Sequence, residues 1–277
     1  MIFALMGGDG RSVRLAELLR ADGHEVRAFA LERAMEGCAK SAAEAAAGAG
    51  CIVLPLPSMK NGRLFAPFSA GERAVPPLLA AVSPGTPVIA GGAEEELRAA
   101  CRRGGLPLTD LLRREDFALR NAELTAEGAV GLLLQGEGAL RGSEVLIAGF
   151  GRIGRRLAAK LLGMGARVTV LARAPSDRVL AELTGCRAVR DAQDAGRCDA
   201  VVNTVPAVIF GPEALSGFGD ARLLELASAP YGFDMDAARA LGKTVELCSG
   251  LPGKCAPRAA AAAIRDVTYS VLEDGKP

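Results

Sequence analysis

An α/β fold with two doubly wound parallel-sheet domains and a cleft between them is what this sequence predicts, and three observations carry that prediction. Short apolar runs alternate with helical patterns along the whole chain, as parallel sheets covered on both faces require. A strand, a glycine-rich turn and a helix follow one another twice, at residues 2–19 and 144–163. The length, 277 residues of which 50% are hydrophobic, is enough for two modest cores.

Taken in order, residues 2–5 read as a buried strand, Gly7-Gly8-Asp9-Gly10 as a turn, 12–19 as a helix and 25–30 as a second strand. An alanine-rich helix around 39–47 leads to a third strand at 51–55, and the polar loop 56–63 follows. Residues 86–90 read as a fourth strand and 94–103 as a charged helix. The run from Asn121 to residue 134 reads as a helix capped by Thr125 that joins the two halves as a hinge. Strands are then expected at 144–148, 168–173, 200–203, 223–227 and 245–247, with a helix at 155–163 and an alanine-rich terminal helix opened by Pro257 and Arg258. The division that follows is a substrate-side Rossmann-like domain at 1–120, rejoined by the terminal helix 255–277, and a dinucleotide-binding Rossmann-like domain at 121–254.

The most informative segment is Gly149-Phe150-Gly151-Arg152-Ile153-Gly154, set between an apolar strand and a helix. Each glycine serves a separate mechanical need, Gly149 the tight turn, Gly151 the approach of a pyrophosphate to backbone, and Gly154 close packing of helix on strand. The helix start at Arg152 and Ile153 then offers backbone N–H groups and positive dipole to the phosphates. In the first half, Val13 stands where the third glycine would follow Gly8 and Gly10, so no second nucleotide is assigned there.

The end of the next strand chooses the nucleotide, because an acidic residue there accepts from the ribose 2′-hydroxyl of NAD. Here Arg173 stands in that place, with Ser176 and Arg178 close behind. Two guanidiniums and a hydroxyl suit a 2′-phosphate, so NADP is favoured and NAD is the alternative. Asn203, Thr204 and Pro206, in a polar turn after a strand, are expected beside the nicotinamide.

Composition excludes several classes. Lysine plus arginine total 33 against 32 acidic residues, which gives no sustained basic field, so nucleic acid is not an expected partner. Apolar runs are shorter than a membrane span, and residues 1–6 lack a basic leader, so a cytoplasmic protein is expected. Seven scattered cysteines without a C-x-x-C pair suggest neither disulfides nor zinc, and His24 as sole histidine leaves no metal site to expect.

Asn203-Thr204-Val205-Pro206, the run 250–257 (Gly-Leu-Pro-Gly-Lys-Cys-Ala-Pro) and Asn121 with residues 125–129 resemble the A-chain family of dipicolinate synthase. The opening Gly7-Gly8-Asp9, the fingerprint, and Leu226-Ala227-Ser228 with Pro230, Gly232 and Asp234 add to the likeness, which runs the length of the chain. The resemblance implies an enzyme of endospore-forming bacteria, acting in the mother cell, that oxidises dihydrodipicolinate to pyridine-2,6-dicarboxylate. It also implies a partner, the flavoprotein-like B chain of dipicolinate synthase; self-association is compatible with it.

Within that resemblance, a dicarboxylate substrate calls for cations and neutral donors. The candidates are Arg11, Lys60, Arg63, Lys254 and Arg258, with Asp9, Ser58, Asn61, Asn121 and Thr125 as polar neighbours. Lys60 is placed nearest the chemistry, and Glu127 is the candidate acceptor for the accompanying proton. Two other readings stay open: a shikimate-dehydrogenase-like NADP oxidoreductase using Lys60, and a noncatalytic nucleotide-binding component of a flavin-containing complex. A 2-hydroxyacid dehydrogenase would need a catalytic histidine late in the chain, where there is none.

Overall fold

The structure, a computed structural model, describes residues 1–71, 74–136 and 138–274. It divides into two compact units, Met1–Asn121 with the chain from Ala256 onward, and Ala122–Cys255. In order, the first unit holds β1 (Ile2–Met6), α1 (Gly10–Ala21), β2 (Glu25–Phe29), α2 (Ala42–Ala46), β3 (Cys51–Val53), a hairpin of β4 (Met59–Lys60) and β5 (Arg63–Leu64), α3 (Val75–Leu79), β6 (Val88–Ala90), α4 (Glu95–Gly104) and β7 (Leu108–Asp110). Helix α5 (Glu115–Leu134) carries the chain across the boundary. The second unit continues with β8 (Glu144–Ala148), α6 (Arg152–Gly163), β9 (Arg167–Leu171), α7 (Pro175–Leu183), β10 (Arg187–Val189), β11 (Ala200–Asn203), α8 (Pro212–Gly217), β12 (Arg222–Glu225), α9 (Met235–Ala240), β13 (Val245–Leu247) and α10 (Leu251–Cys255). Helix α11 (Pro257–Asp274) belongs to the first unit.

Both large sheets are parallel throughout: β2-β1-β3-β6-β7 in the first unit and β10-β9-β8-β11-β12-β13 in the second. Period-two alternation divides each strand between two cores. From β1, Ala4 and Met6 pack with α2, α3 and α4, while Phe3 and Leu5 pack with Leu15 and Leu19 of α1 and Ile264 and Val267 of α11. From β8, Val145 and Ile147 meet Leu157 and Leu161 of α6 and Ala129 and Leu133 of α5. Leu146 and Ala148 face Phe210, Phe218 and Phe233 instead. His24 packs as an aromatic, its ring centroid 5.1 Å from Phe3 and 5.7 Å from Tyr269.

Several expectations are corrected. No helix starts at Thr125: α5 begins at Glu115, with Glu115 and Asp116 in its first turn, where acidic groups complement the dipole. Its buried positions Ala118, Ala122, Ala126, Ala129 and Leu133 keep helical spacing straight through Thr125, which lies buried in mid-helix. The loop 56–63 contains a hairpin, whose Asn61-Gly62 turn has φ of 54° and 72°, the backbone a two-residue type I′ turn demands. Strands β7 and β10, only three residues each, carry too short an apolar pattern to be read from the sequence. Strand β9 ends at Leu171, so Arg173 lies in a bend beyond it.

One buried carboxylate organises the far end of the first sheet. Asp110, at the end of β7, accepts from the N–H groups of Gly92 (2.9 Å), Ala93 (3.0 Å) and Leu112 (3.1 Å), and from Arg98 Nη2 (2.5 Å). It is 8% exposed, so its removal strands three amides and a guanidinium with little access to water. Asp110→Ala should lower unfolding free energy by roughly 3–5 kcal/mol in urea titration; a loss below about 1 kcal/mol would mean that solvent replaces the carboxylate.

Candidate functional site

The second sheet has the strand order of a dinucleotide-binding domain, with its reversal between β8 and β11. The chain leaves β8 through Gly149 at φ +89°, where a Cβ would lie 2.6 Å from Thr204 Oγ1 and 2.8 Å from Val205 Cγ2. A Cβ on Gly154 would stand 2.1 Å from the Gly149 carbonyl oxygen, so α6 can pack here only with glycine. Gly151 differs: it is the N-cap of α6 at φ −78°, makes no side-chain cap, and a Cβ there meets nothing within 4 Å. Packing within the protein thus accounts for two glycines, and the third fronts open space at an uncapped helix start. Arg152 and Ile153 occupy the first two helical positions. Such a start fits a pyrophosphate.

The glycine turn after β1 is built otherwise. Asp9 caps α1 itself, accepting from Arg11 N–H at 3.0 Å, and a Cβ on Gly8 would lie 1.9 Å from Ser12 Oγ. A helix start already occupied by a carboxylate repels a phosphate. Arg11 is 6% exposed and is held by Asp9 through Nε (2.9 Å) and Nη2 (2.8 Å), and by the Leu56 carbonyl. Asp9 and Arg11, expected at a ligand, are therefore corrected to a bracket tying α1 to the segment after β3. Burial alone would raise the Asp9 carboxyl, but hydrogen bonding and charge from Arg11 outweigh it and hold the group below its usual range.

At the proposed 2′-phosphate position, Arg173 and Ser176 are exposed. Arg178 is engaged elsewhere: its Nη1 donates to the carbonyls of Ala172 (2.9 Å) and Arg173 (2.8 Å), which fixes the bend that displays Arg173. Arg155 bonds the Phe150 carbonyl (2.7 Å) and pairs with Asp177 (3.2 Å), so Asp177 is already engaged by a cation from α6.

Beyond β11, Thr204 donates to the Ala148 carbonyl at 2.7 Å and joins the two strands at the switch point, while Pro206 is exposed. Asn203 is fully buried: its Nδ2 donates to Glu225 Oε1 (2.6 Å) and the Val205 carbonyl (2.9 Å), and its Oδ1 accepts from Val205 N–H (3.1 Å). Its expected place beside the nicotinamide is thus corrected to a scaffold role. Glu225, at the end of β12 and 1% exposed, also accepts from the N–H groups of Ala227 (2.9 Å) and Gly232 (2.7 Å). The sequence expectations pass over it, yet a charge inside the apolar run Leu223-Leu224-Glu225-Leu226 is a signal of a buried network.

The remaining candidates scatter. Ser58 is fully buried and donates to the Gly92 carbonyl (3.2 Å), so it seats the hairpin rather than a ligand. Glu127 meets Lys160 Nζ (3.4 Å), which Glu123 holds at 2.5 Å; that hydrogen bond is the largest cause raising the Lys160 ammonium above its ordinary value. Lys160 lies eight residues past Arg152, about 12 Å along α6 from its phosphate-facing end at roughly 1.5 Å per residue. The proton-acceptor role for Glu127 is therefore corrected to a helix-pairing one. Asn121 is half-buried on α5, Lys254 is exposed on α10, and Arg258 is exposed in the first turn of α11. Lys60, Asn61 and Arg63 come together with Arg33 around a pocket of about 700 Å³ within the first unit. Among the described residues no group of three or more His, Cys, Asp or Glu is placed to hold a metal, and no helix is long and apolar enough to cross a membrane.

The sheet order and the open glycine turn define a dehydrogenase-type protein that binds a nicotinamide dinucleotide. Residues 111–210 match the family model of the D-isomer specific 2-hydroxyacid dehydrogenase NAD-binding domain, and residues 2–112 that of the N-terminal domain of the dipicolinate synthase A chain. The dipicolinate synthase A chain of Bacillus subtilis (strain 168) is 33% identical over 194 residues, which span 66% of this chain and 64% of that protein's length. Just under two thirds of that relative is therefore matched. Crystal structures of the dipicolinate synthase A chain from Bacillus halodurans (TM-score 0.87, 23% identity, 100% of this chain and 98% of that one) and from Bacillus subtilis (0.85, 24%, 99% and 96%) share the fold. The chain belongs to the A-chain family of dipicolinate synthase.

The Asp9 bracket has a pH signature. Its carboxyl titrates below the unfolded value of 3.8, so its contribution is complete above that pH and is lost as pH falls through the folded value. The stability difference between wild type and Asp9→Asn should therefore be constant from about pH 5 upward and shrink below about pH 4. A difference that does not change with acid would show that the carboxylate is not the active partner.

Proposed function

We propose that this chain is a dipicolinate synthase A chain that oxidises dihydrodipicolinate to dipicolinate (pyridine-2,6-dicarboxylate) with NADP as hydride acceptor. The observation that carries the reading is the contrast between two glycine turns in one chain. The turn before α1 is closed by its own aspartate, whereas the turn before α6 makes no side-chain cap and leaves the space over Gly151 open. Membership of the family supplies the substrate class, and Arg173 in place of an acidic residue supports NADP over NAD.

The chemistry asks little of the protein. Loss of hydride from ring carbon and of one proton from the dihydropyridine gives an aromatic ring, so the driving force resides in the product and no strong base is needed. Bound NADP would supply the two-electron acceptor, becoming NADPH. The protein's part is to hold the pyrophosphate on α6, to keep the bend after β9 in place through Arg178, and to fix the loops after β11 and β12 through Asn203 and Glu225. Those loops are held firmly because every N–H that Glu225 binds is satisfied without water. Action with a flavoprotein-like B chain, in the mother cell during spore formation, belongs to the same proposal.

Purified chain, freshly prepared dihydrodipicolinate and NADP should yield dipicolinate and NADPH in equal amounts by absorbance. Dipicolinate without NADPH would move the oxidation to flavin or oxygen and sink the reading. Gly151→Val should fold normally, since a Cβ there meets nothing within 4 Å, yet bind no nucleotide; retained binding would overturn the placement. Arg173→Asp should weaken NADP binding about 10-fold or more, as loss of a charge-assisted hydrogen bond does, and improve NAD relative to NADP. An unchanged preference would remove Arg173 from the 2′-phosphate site.

A further inference from the structure

The two buried strand-end carboxylates, Asp110 on β7 and Glu225 on β12, brace loops in the same way but differ in charge balance. Asp110 has a guanidinium beside it, Arg98 Nη2 at 2.5 Å. Glu225 is 1% exposed, and the groups it bonds are all neutral donors: Asn203 Nδ2 (2.6 Å) and the N–H groups of Ala227 (2.9 Å), Gly232 (2.7 Å) and Phe233 (3.4 Å). A carboxylic acid proton would find no acceptor among these partners, so the group is an anion. Arg222 opens the same strand, but it is engaged at the opposite end by Glu246 (2.8 Å) and the Leu132 carbonyl (2.8 Å).

A charge out of water without a counter-ion is costly, and the surroundings of Glu225 do little to relieve it. It follows Leu223 by two residues and so shares that residue's face of the sheet, over the apolar cluster of Phe210, Phe218 and Phe233. Its register partner on β11, Asn203, is fully buried. The first unit uses the less costly form of the same brace, carboxylate with arginine; leaving the charge bare on β12 points to a cation that the ligand brings. In the proposed function the dinucleotide lies across the reversal between β8 and β11, with its adenosine half on the β9 side, where Arg173 stands. The carboxyl ends of β11, β12 and β13 then serve the nicotinamide half, whose ring is a cation only when oxidised. Glu225 is the last residue of β12.

We propose that Glu225 sets the chain's preference between oxidised and reduced dinucleotide, its buried charge favouring the nicotinamide cation through the protein interior and having no such partner once the ring is reduced. The inference rests on the proposed function for the nucleotide and for the half of the sheet that takes each part of it. Glu225 acts at a distance and is not a catalytic residue; a charge over an apolar layer is screened far less than one in water. Tighter holding of oxidised NADP gives up some hydride-accepting power, which aromatisation of a dihydropyridine offsets, and weaker holding of NADPH favours its release.

Calorimetric titration of the full chain with oxidised NADP and with NADPH, at constant ionic strength, gives the ratio of the two dissociation constants without turnover. Wild type should bind the oxidised form more tightly. Glu225→Gln should shift the ratio toward NADPH by about 10-fold, the order expected for unit charges roughly 10 Å apart at an effective dielectric of about 20. Loosened loops alone would weaken both forms alike and leave the ratio unmoved. Glu225→Gln combined with Asn203→Asp keeps one carboxylate and one amide in the buried pair and should return the ratio toward wild type. Adenosine 2′,5′-bisphosphate, which lacks the nicotinamide, should bind all three proteins alike. Tighter binding of NADPH by wild type, a ratio unchanged in Glu225→Gln, or a double variant that stays with Glu225→Gln would overturn the proposal; the first of these needs no variant and decides even where Glu225→Gln does not fold. The two readings fail separately. An unchanged ratio in a chain that still forms dipicolinate and NADPH leaves the dehydrogenase without the charge effect, and a shifted ratio in a chain that oxidises nothing leaves the charge effect without the dehydrogenase.

Discussion

Backbone amides at the carboxyl ends of parallel strands must find acceptors away from water, and the two units meet this constraint with the same device. A carboxylate at the last residue of a strand turns inward and gathers the N–H groups of the following loops: Asp110 at the end of β7, Glu225 at the end of β12. Loops at that edge carry function in open α/β sheets. Holding them by a buried charge-assisted network, rather than by hydrophobic contact alone, sets their positions to hydrogen-bond tolerance. The device also explains an otherwise arbitrary glycine. A Cβ on Gly232 would stand 2.2 Å from Asn203 Nδ2, so the loop reaches Glu225 only because residue 232 has no side chain.

Given those braced loops, the two units finish their glycine turns differently. The second presents backbone: the N–H groups at the start of α6, uncapped and fronting open space at Gly151. The first closes its equivalent helix start with Asp9, which also holds Arg11. Backbone dipoles suit phosphates that must approach closely, and a carboxylate already seated at the helix start excludes them.

This division also decides what the sequence could reveal. Backbone recognition leaves a spacing signature, because glycine is needed at fixed positions, so the fingerprint from Gly149 to Gly154, its helix and the sheet class are legible residue by residue. Bonds between side chains and distant backbone leave none: Arg11 reaches the Leu56 carbonyl only through the fold. Four of the misplaced candidates share one cause. Ser58, Asn203, Asp9 and Arg11 are polar residues at or after strand ends, and that position serves equally for ligand contact and for satisfying buried backbone. Sequence alone does not separate the two, whereas burial does: Ser58 and Asn203 have no exposed surface and Arg11 only 6%. Glu127 departs from its expected role for a different reason. A helix beginning near Thr125 would put Glu127 in its first turn; with α5 beginning at Glu115 the same residue lies well inside the helix, opposite Lys160.

The guanidinium of Arg178 is the most instructive of these reassignments, because it separates a side chain that shapes the bend after β9 from one that the bend displays. Two arginines within six residues invite the reading that both grip a 2′-phosphate, yet Arg178 is bonded to the carbonyls of Ala172 and Arg173. Those acceptors lie just past the strand end. By binding them, Arg178 sets the peptide from which Arg173 projects, and Arg155 pairs with Asp177 nearby. Selectivity in such a site is set as much by masking the local acceptors as by adding a cation. The chain therefore carries three arginines around one bend, of which Arg173 is exposed while Arg155 and Arg178 are spent on Asp177 and on the backbone of the bend itself.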